Sequence, residues 1–362
     1  VNLRIPGPTP CPEEVLQAGA LQMMNHRGPE FAQVLRRVTD GLNWVFGSSS
    51  DVLSFTTSGT GGLEVAVVNT LSPGDRVLAV SIGSFGDRFK SIASAYGAKV
   101  TSYAVDWGET ADPTVIGKML DDDPSLKAVL VTHNETSTGT TNPLEAIARE
   151  IRARDRLILV DAVSSMSSIP CPVERWDLDV VVSGSQKGWM VAPGLAFVYM
   201  SERAWAANAE AKMPRYYFDA GRARDSLAKL QNPWTPAMAV YYQMDKAFEL
   251  LRAEGLEGIF TRHEAIANYT RDRVKAFGLK LVPVDEKYSS NTVTAVRWPD
   301  GVDAKALSRR AREEFGVVLG GGQGKLEGKI FRVGHLGFVS KRDIEECLDV
   351  VERLLVESRA AV

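Results

Sequence analysis

Lys187 follows directly on the apolar run Val180–Val182, within Ser183-Gly184-Ser185-Gln186-Lys187-Gly188. A lysine at such a strand tip can face a cleft. Desolvation and nearby cations there lower its pKa and leave a free amine able to attack an aldehyde. Asp161 ends another run, Leu157–Val160. A carboxylate at a buried tip needs a partner; a protonated pyridine nitrogen is one, and the carboxylate would keep that ring an electron sink. Ser58-Gly59-Thr60-Gly61-Gly62 precedes a helical pattern, Leu63 to Leu71. Glycines let the backbone approach an anion, and the hydroxyls and first helix N–H groups donate to it, which suits a phosphate. The run is neither a Walker A loop nor a GxGxxG fingerprint, so nucleotide binding has no support. Phe85, in Ser84-Phe85-Gly86 after Val77–Ser81, could stack on a flat ring. His133-Asn134-Glu135-Thr136-Ser137-Thr138-Gly139 follows Ala128–Val131 and offers donors for a phenolic oxygen. Arg332, in Lys329–Val333, could grip a carboxylate through two parallel hydrogen bonds.

Each position also has a plainer reading on its own. The glycine run could be an ordinary N-cap, Asp161 a cap or salt-bridge partner, Lys187 a solvated loop residue, Phe85 core, the His133 segment a polar turn and Arg332 a surface side chain. Their joint occurrence at strand tips is what speaks for one site, since ligands of open α/β sheets sit at the carboxyl ends of strands. Gly320-Gly321-Gly322-Gln323-Gly324 has no helix clearly after it and reads as a mobile loop at the cleft mouth.

The elements that must carry these residues are visible in the pattern. From about Ser54 to Met200, apolar runs (Val77–Val80, Ala128–Val131, Leu157–Val160, Val180–Ser183, Leu195–Met200) alternate with amphipathic stretches such as Phe89–Tyr96 and Leu144–Arg154. That alternation predicts an α/β domain with a largely parallel sheet covered on both faces. After Pro236 come helices over Ala237–Ala253 and Gly258–Phe277, strands at Thr292–Trp298 and Lys329–Val333, and helices over Asp303–Phe315 and Lys341–Glu357. This α+β pattern predicts a large domain over 16–255, a small one over 256–362, and a Pro-rich segment, 1–15, along the surface or the cleft.

Composition narrows the class. The 362 residues are 44% hydrophobic and 24% charged, with a formal net charge of −3, which favours neither nucleic acid nor an anionic membrane as partner. No apolar stretch approaches the roughly 18 residues of a membrane span, and Val1–Pro12 lacks the layout of a signal peptide. Cys11, Cys171 and Cys347 are too scattered for a disulfide framework or a zinc or iron–sulfur site, so a cytoplasmic setting is expected.

The run Val160-Asp161-Ala162-Val163-Ser164-Ser165, followed by Ser183-Gly184-Ser185-Gln186-Lys187, resembles class V aminotransferases. These are pyridoxal-phosphate (PLP) enzymes with an aspartate aminotransferase-like fold. The resemblance runs from Pro6-Gly7-Pro8-Thr9-Pro10 through Phe331-Arg332-Val333-Gly334 and is nearest to the alanine–glyoxylate and serine–glyoxylate group, which includes proteins labelled soluble hydrogenase small subunit. It implies that Lys187 forms the internal aldimine and shuttles the proton, and that Asp161 pairs with the pyridine nitrogen. Ser58, Gly59, Thr60 and Gln186 would hold the phosphate. Phe85 would stack on the ring where many relatives carry tryptophan, with Val163 on the other face and Thr136 near the ring hydroxyl. Arg332 would bind the substrate carboxylate, with Gly7 near the substrate. It also implies a homodimer with shared active sites, in which Thr235 completes the phosphate site across the interface; Asn232 stands where some relatives have tyrosine. His26-Arg27 fits the family's first helical region and receives no role.

The expected reaction is ping-pong transamination from a small amino acid, alanine or serine, to a 2-oxo acid such as glyoxylate or pyruvate. An aspartate-type aminotransferase and a desulfurase-like lyase are the rivals on the same scaffold. The lyase needs a cysteine nucleophile, and Cys347 lies on a predicted helix where a buried thiol is expected. A partner-binding subunit with a vestigial site is the non-enzyme alternative.

Overall fold

Strands that are apolar on both faces need helices on both sides. In the computed structural model, which describes residues 1–360, they form a seven-stranded sheet. Its order is Leu53–Thr56, Leu195–Met200, Val180–Gly184, Leu157–Asp161, Leu126–Thr132, Arg76–Ser81, Lys99–Ala104. Leu195–Met200 is antiparallel to both neighbours and every other pairing is parallel. The register sets Thr132 beside Asp161 and Asp161 beside Val182, so three central strands end side by side. The chain leaving the last of them carries Lys187.

Both edge strands escape the sequence pattern. Lys99–Ala104 has only half-buried and exposed residues, as an outer strand does, and Leu53–Thr56 is four residues long. The glycine run also differs from expectation. It is the first turn of a helix, Gly59–Thr70, and not a turn ahead of one. Glycine disfavours helix by about 1 kcal/mol, but here the missing side chains let the helix lie against the sheet. A Cβ on Gly59 would sit 2.7 Å from Val163 Cγ2, and one on Gly62 2.6 Å from Val182 Cγ1.

A second sheet has the order Asn2–Arg4, Val317–Gly321, Ile330–Gly334, Val293–Arg297. Helices Leu256–Ala276, Ala304–Phe315 and Lys341–Ala360 share its core, which includes Ile266, Leu307, Phe331 and Leu348. The main core runs through residues from Val15 to Ile259. Gly320 and Gly321 pair with Arg332 and Phe331 as the end of a strand, and Gly324 begins a short 3-10 turn, so the expected mobile loop is mostly ordered backbone. Backbone hydrogen bonds here replace what a side chain would otherwise supply.

The N-terminal segment straps the two units together. Asn2–Arg4 adds a parallel edge strand to the small sheet, and Glu13–Gly19 packs on the helix Met238–Glu254. Between them, Thr9 N–H donates to Gln186 O at 3.1 Å, and Thr9 Oγ1 donates to Lys187 O at 2.9 Å.

Candidate active site

Lys187 is held from both sides. Trp189, fully buried, anchors the turn through its indole N–H on Ser183 Oγ at 2.9 Å, and Met190 N–H closes on Lys187 O. Lys187 Nζ donates to Pro6 O at 2.7 Å. Gly7 lies so near that a side chain there would meet Nζ at 2.5 Å. Burial, and secondly the charge of Arg332, bring the amine down to about 8, against the upward pull of Asp161. The amine therefore sits among groups that weaken its hold on a proton.

Asp161 is buried at its strand tip and accepts Val163 N–H at 3.0 Å. No cation bonds it directly, and desolvation lifts it to about 6. A buried carboxylate with one neutral donor still has accepting capacity for a protonated ring nitrogen.

Both groups affect stability in opposite senses. In cofactor-free protein, unfolded Lys187 holds its proton up to its ordinary value of 10.5, while the folded amine releases it near 8. The unfolded chain binds more protons between these values, so stability rises with pH across that window. Asp161 does the reverse: the folded form keeps its proton up to about 6, so stability falls as pH rises from about 4 to 6. Urea midpoints of the cofactor-free protein are expected to lose the alkaline rise in Lys187→Met and the acidic fall in Asp161→Asn.

An anion cradle lies beside them. Ser58 is the N-cap residue of Gly59–Thr70 but makes no side-chain cap bond, so its hydroxyl and the first N–H groups of the helix remain available. Gln186 Oε1 is buried without a donor; the same amide turned over places its –NH2 there, able to donate to an anion. A Cβ built on Gly184 would lie 3.1 Å from that atom and 3.4 Å from Gly59, which puts Gln186 at the helix start. Val163 forms the wall next to Gly59.

Phe85 is half-buried in the first turn of Ser84–Ala95. Arg88, which the sequence did not flag, places its guanidinium 4.8 Å from the Phe85 ring centre and donates to Thr60 Oγ1 at 3.3 Å. Its charge reaches both Asp161 and Lys187. Thr136 Oγ1 donates to Ser164 Oγ at 2.9 Å, and Asn134 Nδ2 donates to the same hydroxyl. Arg332 is buried, donating from Nε to Gly321 O at 2.8 Å and from NH1 to Thr136 O at 3.1 Å; burial lowers it to about 10. Its two backbone anchors fix the plane of the guanidinium.

Other flagged residues stand apart. The His133 ring packs edge-on against Trp176 at 5.9 Å and lines a crevice with Lys287 and Tyr288, not the lysine cleft. Thr235 is exposed beside Trp234 and Tyr217. Asn232 turns inward, donating to Tyr241 OH at 2.8 Å. Arg27 bonds Gln231 on the surface. Cys347 is fully buried on the last helix, its thiol pushed up to about 12 by desolvation, so it offers no thiolate. Among the described residues, no three His, Cys, Asp or Glu side chains gather as a metal site, and no helix is long and apolar enough to cross a membrane.

A sheet-tip lysine of lowered pKa, a buried carboxylate, a helix start with free N–H groups and a half-buried aromatic ring fit a PLP-dependent transferase of the α/β class. The chain belongs to the class V aminotransferases: the family model "Aminotransferase class-V" matches residues 1–326. A protein of Synechococcus sp. (strain PCC 6716) named soluble hydrogenase, small subunit, is 43% identical, covering 98% of this chain and 93% of its own. The L-aspartate–glyoxylate aminotransferase of Paracoccus denitrificans is 38% identical over 92% of this chain and 85% of its own. The crystal structure of an alanine–glyoxylate aminotransferase from Nostoc sp. superimposes with a TM-score of 0.94 at 32% identity, covering 98% of this chain and 94% of that one.

Proposed function

We propose that this enzyme transfers the amino group of alanine or serine to glyoxylate or pyruvate, with Lys187 as the covalent anchor of PLP. The observation that carries the reading is the Lys187 amine, lowered to about 8 by desolvation, within electrostatic reach of the buried carboxylate of Asp161. The phosphate is held by Ser58, Thr60, Gln186 and the N–H groups from Gly59 onward. When bound, the cofactor supplies an aldehyde that takes up the amino group and a ring that accepts an electron pair.

Asp161 holds the proton on the ring nitrogen. Phe85 and Val163 enclose the ring and exclude water from it, and Thr136 orients its hydroxyl. Lys187 Nζ would take the proton from the substrate's α-carbon. Pro6 O steers that amine, and the missing side chain of Gly7 leaves room for the substrate. Arg332 turns a guanidinium fixed by Gly321 O and Thr136 O toward the substrate carboxylate.

Two guanidinium groups, Arg332 and Arg88, bear on the Lys187 amine. Arg88 is committed to Phe85 and Thr60, which leaves Arg332 for one carboxylate. That favours monocarboxylic donors. Aspartate is the second reading, because Arg88 is exposed and its Thr60 bond is long, so it could turn to a second carboxylate. A panel of alanine, serine and aspartate against glyoxylate, pyruvate and 2-oxoglutarate, with product acids quantified, decides between them. Turnover with alanine or serine supports the first reading. Aspartate as the sole donor replaces it with the second, and sulfide release from cysteine without transamination rejects both. Arg332→Ala is expected to raise KM for every carboxylate tested about thirtyfold or more, since truncating one side of a buried charged contact costs about 2 kcal/mol or more.

We further propose a cytoplasmic homodimer in which Thr235 of each copy completes the other's phosphate site. Among the described residues Thr235 has no hydrogen-bond partner, and the exposed rings of Tyr216 and Tyr217, stacked on Trp234, offer an apolar contact beside it. The division into 16–255 and 256–362 follows the two main cores except at its edge, where Leu256, Ile259 and Phe260 still pack on the larger one.

A further inference from the structure

The helix Ser84–Ala95 carries Phe85 and Arg88, yet its N-cap residue, Gly83, has no side chain to satisfy the first N–H groups. They are satisfied from another strand. Phe85 N–H and Gly86 N–H both donate to Glu135 Oε2 at 3.1 Å. Ser84 N–H donates to Ser137 Oγ at 3.0 Å, and that hydroxyl donates in turn to Glu135 Oε1. Ser137 N–H also donates to Glu135 Oε1 at 3.1 Å. Glu135 is fully buried. Gly83 permits the approach, because a Cβ there would run into the Glu135 side chain.

Phe85 N–H, Gly86 N–H, Ser137 N–H and the Ser137 hydroxyl all donate to the carboxylate, so an amide at this position would turn its –NH2 against at least one N–H donor. Burial pushes this carboxyl up while the Ser137 and Gly86 donors pull it down. The next residue, Thr136, gives its carbonyl to Arg332 NH1. One short segment thus touches both the ring platform and the carboxylate grip.

We propose that Glu135 is a positioning residue: as a buried carboxylate it caps the helix Ser84–Ala95 from a distance and fixes Phe85 against the cofactor ring in register with Arg332. This rests on the cofactor site proposed above. Glu135 itself touches neither substrate nor cofactor; it acts through Phe85.

The test is a double-mutant cycle on the full-length protein freed of cofactor. The dissociation constant for pyridoxamine 5′-phosphate is measured calorimetrically for the native chain, Glu135→Gln, Phe85→Ala and the pair. Glu135→Gln alone is expected to weaken binding about tenfold, as loss of a hydrogen bond to a charged group does. In the Phe85→Ala background the same change is expected to cost less than about twofold, because the residue it acts through is gone. Ser137→Ala, taken through the same cycle, gives the same less-than-additive pattern and serves if Glu135→Gln does not fold. Additive losses in the two backgrounds, or a Glu135→Gln protein that melts earlier but binds with native affinity, overturn the proposal and leave the cofactor site standing. Failure of the native chain itself to bind the compound rejects the site, and this proposal with it.

Discussion

Lys187→Ala is expected to lower the rate of transamination by at least about a thousandfold, the scale of removing both a covalent anchor and the proton-carrying base. The structure explains why no neighbour substitutes. Pro6 O steers the amine, burial lowers its pKa to about 8, and the Lys187 carbonyl is pinned by Thr9. Amino-acid binding through Arg332 is untouched by the change, so single-turnover rates should fall while substrate affinity stays near native. A variant retaining more than a tenth of native turnover would contradict the assignment.

Asp161→Asn is expected to cost about 3–5 kcal/mol, a loss of roughly 150-fold to several-thousandfold in kcat, because a buried cation is left without its counter-charge. Asn keeps the size and can still accept the Val163 N–H bond, so the fold should survive. The loss would therefore appear in chemistry and cofactor affinity, in a protein that still folds. Rate measurements under saturating cofactor separate the two effects. Unchanged kcat at saturation would show that the ring needs no carboxylate there.

What was legible in the sequence was the set of strand tips. A run such as Leu157–Val160 is apolar because both faces are buried, and the polar residue that ends it marks where the sheet meets the cleft. Asp161 and Lys187 stand out this way; Arg332, in mid-strand, stands out only by its charge among apolar neighbours. The edge strand Lys99–Ala104 was not, because its outer face is wet and its residues are mixed. The start of the helix Gly59–Thr70 was misplaced, because local preference puts glycine in turns, whereas close packing on Val163 and Val182 decides the matter in three dimensions. Gly320 and Gly321 differ from expectation because they pair as strand with Arg332 and Phe331, a long-range contact that local glycine preference does not reveal.

Groups that act through distant contacts left no local trace. Thr9 grips a loop 178 residues away. Glu135 caps a helix about 50 residues back, and nothing in HNETSTG distinguishes its carboxylate from a solvated turn residue. Arg88 reads as one more charge on an amphipathic helix until Thr60 and Phe85 appear beside it. His133, conspicuous by type, belongs to a different crevice. A histidine next to a strand end carries no sign of which way its ring turns; that follows from Trp176.

One covalent bond underlies all of this, between the aldehyde carbon of the vitamin B6 cofactor and Lys187 Nζ. Purified protein saturated with PLP, reduced with borohydride and digested, should yield a single modified peptide, with the added cofactor mass on Lys187. A folded protein whose peptide map shows no added mass there, or shows it only on other lysines, would contradict the account.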